Sequence, residues 1–294
     1  MTGSQFDLLL AASRCFGGQT FGGWTLDPTL LAPLLLSAGL YGSGTLRLWR
    51  RAGWGRGVSG AQAALFALGW LATAIALVSP LHDASRRLFT AHMVEHELLM
   101  VVAAPLLVLG RPLGAMLWAL RQAWRRGLGR AARGRRFVAL WAFLTRPLTA
   151  TVLHGLAIWI WHVKGLFEAA LAVEWLHWLQ HLSFFASALL FWWVMLEGWR
   201  RRHASGAVVG HLFVTSLHTG FLGVLLTFSP SLLYEAMPDA GLWGMTPLED
   251  QQLAGLIMWI PAGMVYAVAA LAMAASWLKT ARQDRPVLYS PNVP

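Results

Sequence analysis

Long apolar runs, separated by short polar or basic stretches, fill this chain from residue 29 to residue 278. A helix that crosses a lipid bilayer needs about 20 mainly apolar residues. Seven segments meet that requirement: 29–48, 60–79, 88–109, 140–162, 174–196, 207–228 and 252–278. The first two end cleanly, one in the run Arg47 to Arg51 and the other at Ser79-Pro80. Residues 110–139 are too basic to span. There Leu117, Trp118, Leu120, Trp124 and Leu128 alternate with Arg121, Arg125 and Arg126, the pattern of a helix lying along the membrane surface. The expected fold is therefore all-α, a polytopic integral membrane protein built as a bundle of seven transmembrane helices. It divides into an N-terminal segment 1–28, a transmembrane domain 29–279 that contains the interfacial segment 110–139, and a tail 280–294.

Composition strengthens this reading and adds a direction. Hydrophobic residues make up 57% of the chain and charged residues 12%, against roughly 25% charged in a soluble domain. The formal charge of +10 does not point to nucleic acid, because it comes with 17 tryptophans and lies beside apolar spans, where topology and anionic lipid head groups require basic residues. Counted outside and flanking the spans, the connections after spans one, three and five and the C-terminal tail hold 19 Lys and Arg. The opposite side holds 4. Positive charge stays in the cytoplasm, so the N-terminus is expected outside and the C-terminus in the cytoplasm. Cys15 is the single cysteine, which excludes a disulfide framework and a thiolate metal cluster. Met1–Asp27 lacks a basic start followed by an apolar core, so no cleavable signal is expected.

With that orientation, polar residues inside the spans gather at one end. Span three enters from outside with His92, Glu95, His96 and Glu97, and span five enters with His177 and His181. Span four ends outside at Trp161-His162. His-x-x-x-His places two imidazoles on one helical face, and two such pairs entering from the same side can converge on a metal. Met100 continues the His92, His96 stripe at a further spacing of four, and a thioether shifts preference toward Cu(I). Glu95 and Glu97 are candidates to orient an imidazole, to balance metal charge or to carry protons. His92, His96, His162, His177 and His181 are thus read as metal ligands or proton-carrying groups. His154 and His218 are expected to hydrogen-bond neighbouring helices, and His82, His203 and His211 to meet water or lipid head groups. Trp159, Trp161, Trp175 and Trp178 suit an interfacial aromatic belt. His96-Glu97 opens like the zinc-protease signature, but Met100 stands where the second histidine should be. With no nucleophile–base pair and no phosphate loop either, no enzymatic activity is expected.

The run His92-Met93-Val94-Glu95-His96, with Leu98-Leu99-Met100 and Ala104-Pro105-Leu106-Leu107-Val108-Leu109-Gly110 after it, resembles the CtaG family of cytochrome c oxidase assembly proteins. Later blocks agree in order: Trp161-His162, Glu174 through Phe184, Leu226-Thr227-Phe228-Ser229-Pro230, and Asp250 through Trp259. Glu95 stands where the family pattern has a neutral polar residue such as Gln. The resemblance implies a multi-pass factor of the bacterial plasma (inner) membrane that makes a haem–copper oxidase functional at copper delivery. Its partners would be oxidase subunits or other oxidase assembly factors, together with membrane lipids. It assigns His92, His96, His162, His177, His181 and Asp250 as functional positions, Asp250 as a further ligand or a support behind the ligands. Three alternatives stay open. One is a haem-binding membrane protein, with histidines as axial ligands. Another is a copper transporter using a stripe of His211, Thr215 and His218. The third is a structural scaffold for oxidase subunits, with the histidines in interhelical hydrogen bonds.

Overall fold

The computed structural model describes residues 20–21, 23–200, 205–235, 237 and 244–283; Cys15, His203 and the tail 285–294 lie outside them. A short hairpin, Thr20–Phe21 with Trp24–Thr25, precedes the helices. Helix α1, Pro28–Ala52, opens where Asp27 accepts from the backbone N–H of Thr29 at 2.8 Å and Pro28 presets the first turn. It closes on Arg50, Arg51 and Gly53, whose positive φ of 96° suits glycine. Helix α2, Gly60–Val78, starts in a capping box formed by Ser59 and Gln62. Ser79 then caps the six-residue α3, Pro80–Ser85, which folds back against the next helix.

That next helix, α4 (Phe89–Leu109), is the buried centre of the bundle and packs against α2, α10 and α12. Ala103 and Ala104 are fully buried, and such small residues let neighbouring helices approach closely. Its middle, Leu98–Ala103, winds as a π-helix. Two short helices follow, α5 (Pro112–Ala119) and α6 (Gln122–Ala132), then α7 (Arg135–Leu144), α8 (Pro147–Trp161) and α9 (Lys164–Ala172). The long helices α10 (Glu174–Arg200), α11 (Ser205–Thr227) and α12 (Pro247–Gln283) complete the molecule. Helices α11 and α12 cross closely at Gly223 and Gly255. A Cβ on either glycine would come within 2.8 Å of the other's carbonyl oxygen.

Six helices (α1, α2, α4, α10, α11 and α12) are long and apolar enough to cross a membrane. The segment read as one straight span over 140–162 is instead a bent pair, α7 and α8, meeting at 69°. Pro147 causes the break: it has no N–H to donate, and it drives Arg146 into an extended conformation, with ψ near 134°. The expected single interfacial helix over 110–139 is likewise divided. Leu120 and Arg121 are extended, so α5 lies against α1 while α6 and α7 bury no side chain.

Candidate metal centre

Four elements bring imidazoles to the N-terminal end of α4. His92 and His96 stand one turn apart on α4, with ring centroids 4.2 Å apart. His177 and His181 do the same on α10, at 4.3 Å. The two pairs face each other, His96 to His181 at 5.1 Å and His92 to His177 at 5.6 Å. His82, on α3, joins them at 5.9 Å from His177 and 6.0 Å from His181. His82 was expected among water and head groups; the structure buries it. The turn at Ser79-Pro80 folds α3 inward, and His82 Nδ1 meets Glu95 Oε1 at 2.7 Å.

Glu95 is fully buried at the middle of these rings. Its second oxygen lies 3.6 Å from His181 Nε2. Two sets of three residues share this carboxylate: His82, Glu95 and His181, and His92, Glu95 and His177. Within each set, one potential ligand atom per residue lies within 4.8 Å of the others.

The hydrogen bonds fix which nitrogens are free. His92 Nδ1 lies 3.2 Å from the Ser85 carbonyl, which can only accept, so Nδ1 carries the proton and Nε2 the lone pair. His162, at the end of α8, repeats this by donating from Nδ1 to the Ile158 carbonyl at 2.7 Å. Buried without a hydrogen-bond partner are Nε2 of His92, His162, His177 and His181, both ring nitrogens of His96, Glu95 Oε2 and both amide atoms of Gln180. A buried polar atom without a partner costs about 1–3 kcal/mol. Nε2 of His92, His177 and His181, one ring nitrogen of His96 and Glu95 Oε2 can each offer a lone pair at the cluster, and together they fit a soft or borderline cation better than they fit a finished protein core.

His162 stands beside the cluster, with Phe184 and Phe167 near both it and the α4 pair. Phe184 lies 4.7 Å from His96 and 6.4 Å from His162; Phe167 lies 5.4 Å from His92 and 6.5 Å from His162. Tyr234, in the connection between α11 and α12, donates to the His162 carbonyl at 2.8 Å. Burial, with Glu168 nearby, pushes its phenol up to about 12, so it stays protonated as a donor.

Asp250 is not among the imidazoles. Its carboxylate accepts from the backbone N–H groups of Phe89 at 2.8 Å and Thr90 at 2.9 Å, and Thr90 Oγ1 donates to its carbonyl at 3.2 Å. Residue 88, the local cap position of α4, makes no side-chain cap bond, so Asp250 supplies the anion that a helix N-terminus favours. It positions the helix that carries His92 and His96. Met100, four residues after His96, lies in the π-wound stretch and is buried in the apolar core, where Trp192 Nε1 donates to its carbonyl at 3.0 Å. Glu97 Oε2 is buried without a partner. His154 bonds Ser187 at 3.0 Å and Tyr266 at 3.2 Å, in keeping with a helix-to-helix role. His218 accepts from Trp159 Nε1 at 3.4 Å, and His211 lies 3.0 Å from Thr151 Oγ1.

A helical membrane-type bundle with a buried imidazole–carboxylate cluster at one end is the class that fold and site define. The family profile of the cytochrome c oxidase caa3 assembly factor, Caa3_CtaG, matches residues 39–280, and the chain belongs to that family. Among curated proteins it is 28% identical to an uncharacterized protein, ML1998, of Mycobacterium leprae (strain TN). That match covers 74% of this chain and 34% of the relative. It is 29% identical to uncharacterized proteins of Mycobacterium bovis and Mycobacterium tuberculosis, over 75% of this chain and 34% of each. The chain thus spans about a third of the length of the curated relatives it matches. No solved structure matches it.

Proposed function

We propose that this chain receives copper at the His82, His92, His96, His177, His181 and Glu95 cluster and passes it to cytochrome c oxidase during assembly, without itself catalysing a reaction. The bent pair α7 and α8 is taken as one span, giving seven, with the N-terminus and the cluster outside a bacterial plasma membrane. Positive charge at the other end supports that orientation. One observation carries the copper reading: five imidazoles packed around one buried carboxylate, four of them with a ring nitrogen buried without a partner.

Charge narrows the cargo. An isolated ion costs too much in an apolar interior, so a buried site must come close to neutral. An ionised Glu95 with Cu(I) sums to zero, and neutral imidazoles complete the coordination. Glu95, where the family pattern has a neutral residue, therefore favours a monovalent ion. The rings contact one another instead of facing across a slot, which favours a single ion over haem. His154, satisfied by Ser187 and Tyr266, offers no onward ligand toward the cytoplasm, which favours delivery over transport.

The test is metal analysis with an absorption spectrum, on wild type and on the double variant His92→Ala, His177→Ala. Copper in the wild type, lost from the double variant, and no Soret band are expected. Copper no higher in the wild type than in the double variant removes the proposal, and a Soret band replaces it with haem.

A further inference from the structure

The far end of the molecule carries a second cluster, of opposite character. Arg47, Arg50 and Arg51 end α1, and Arg121 and Arg125 come from the start of α6. Together with Trp118 they line one cavity of about 480 Å³. The Arg125 guanidinium lies 4.6 Å over the Trp118 ring and that of Arg51 5.9 Å from it, so one indole holds two cations in place. Arg47 donates to the carbonyl oxygens of Trp118 and Ala119, tying α1 to the end of α5. Arg125 Nε is buried without a partner. Among the described residues no carboxylate pairs with any of these five arginines.

Five like charges around one cavity repel unless an anion joins them. A guanidinium fork matches phosphate geometry, and five of them offer more donors than one anionic group needs. The cavity sits where α1 leaves the apolar zone, beyond the C-terminal end of α4 and so opposite the histidines. Exposed Leu113, Leu117, Trp124 and Leu128 lie along α5 and α6 beside it. Apolar surface next to a cationic cavity suits acyl chains next to a phosphate.

We propose that the cavity between the end of α1 and the start of α6 binds the phosphate of an anionic phospholipid head group. The lipid then braces α6, which has no buried side chain of its own, against the transmembrane bundle. This site does not depend on the copper reading.

The test uses the full chain, purified and delipidated in detergent, titrated with phosphatidylglycerol or phosphatidylcholine and read by native mass spectrometry. The variant Arg50→Gln, Arg51→Gln, Arg125→Gln removes three cavity charges and leaves the Arg47 tie intact. The control Arg130→Gln, Arg135→Gln, Arg136→Gln removes as many charges from the same basic segment outside the cavity. Phosphatidylglycerol binding at least about tenfold weaker in the cavity variant only is expected, with phosphatidylcholine binding alike in all three. Equal weakening in both triple variants overturns the site in favour of diffuse charge. Displacement of the lipid by equimolar inorganic phosphate also overturns it, in favour of a free-anion site. If the cavity variant does not fold, Trp118→Leu decides: it keeps every charge but removes the surface on which Arg51 and Arg125 rest. Severalfold weaker phosphatidylglycerol binding supports the proposal, and unchanged binding overturns it.

Discussion

The two ends of this bundle hold their polar groups in opposite ways. At the histidine end the acid is inside: Glu95 is fully buried, touches His82 and approaches His181. Asp250, also buried, fixes the start of α4 through two backbone N–H groups. At the arginine end the five cations have no acid among the described residues, and four of them are exposed. Membrane-embedded charge must be balanced by the protein itself, whereas charge at the interface can be balanced by head groups. On the two proposals made above, the first end holds an ion and the second takes what the bilayer supplies.

Removing Glu95 attacks that difference most directly. Glu95→Ala removes the negative charge that balances the ion and takes the hydrogen-bond partner from His82. A buried polar group left without its partner costs about 1–3 kcal/mol. We expect a clear fall in thermal midpoint in detergent and at least a hundredfold loss of Cu(I) affinity, read by competition with a chromophoric chelator. Undiminished affinity would show that the imidazoles act without the carboxylate. His82→Ala is milder, because His82 supports Glu95 as well as facing the cluster. Loss of such a support typically costs 10–100-fold in metal affinity, and chelator competition should place this variant between wild type and Glu95→Ala.

Much of this was legible in the sequence, unevenly. The long spans follow from the length of apolar chain that lipid demands, and the His92/His96 and His177/His181 pairs follow from the pitch of a helix. His82 was not legible, because a histidine after Ser79-Pro80 reads as a loop residue until the turn is seen folding α3 onto Glu95. Burying Glu95 among apolar neighbours did demand a nearby cationic or donor partner, and His82 is the histidine just upstream of α4. The capping role of Asp250 joins positions 160 residues apart, which no local pattern records. The bend between α7 and α8 had a signal, Pro147, overridden by the hydropathy on both sides of it. Gln180 and Tyr234 carry no local mark of function.

Asp250 separates positioning from ligation. Asp250→Ala leaves the backbone N–H groups of Phe89 and Thr90 uncapped in a buried place, at a cost of about 1–2 kcal/mol. The thermal midpoint should fall by a few degrees, with a loss of copper affinity smaller than that from His82→Ala. Asp250→Asn should recover part of the midpoint, since it keeps an acceptor but not the charge. A copper loss as large as that of Glu95→Ala, with the midpoint unchanged, would make Asp250 a ligand.

Met100 gives the smallest expected effect and the sharpest reading of α4. Four-residue spacing alone puts its sulfur on the stripe of His92 and His96, where it would be the natural thioether for Cu(I). The structure buries Met100 in the apolar core, and what the bundle uses there is the backbone carbonyl, as the acceptor for Trp192. Met100→Leu keeps the volume and that carbonyl, so stability should change by less than about 1.5 kcal/mol. Copper stoichiometry and Cu(I) affinity should stay within twofold of wild type. A larger loss of Cu(I) affinity with unchanged stability would return the sulfur to the ligand set.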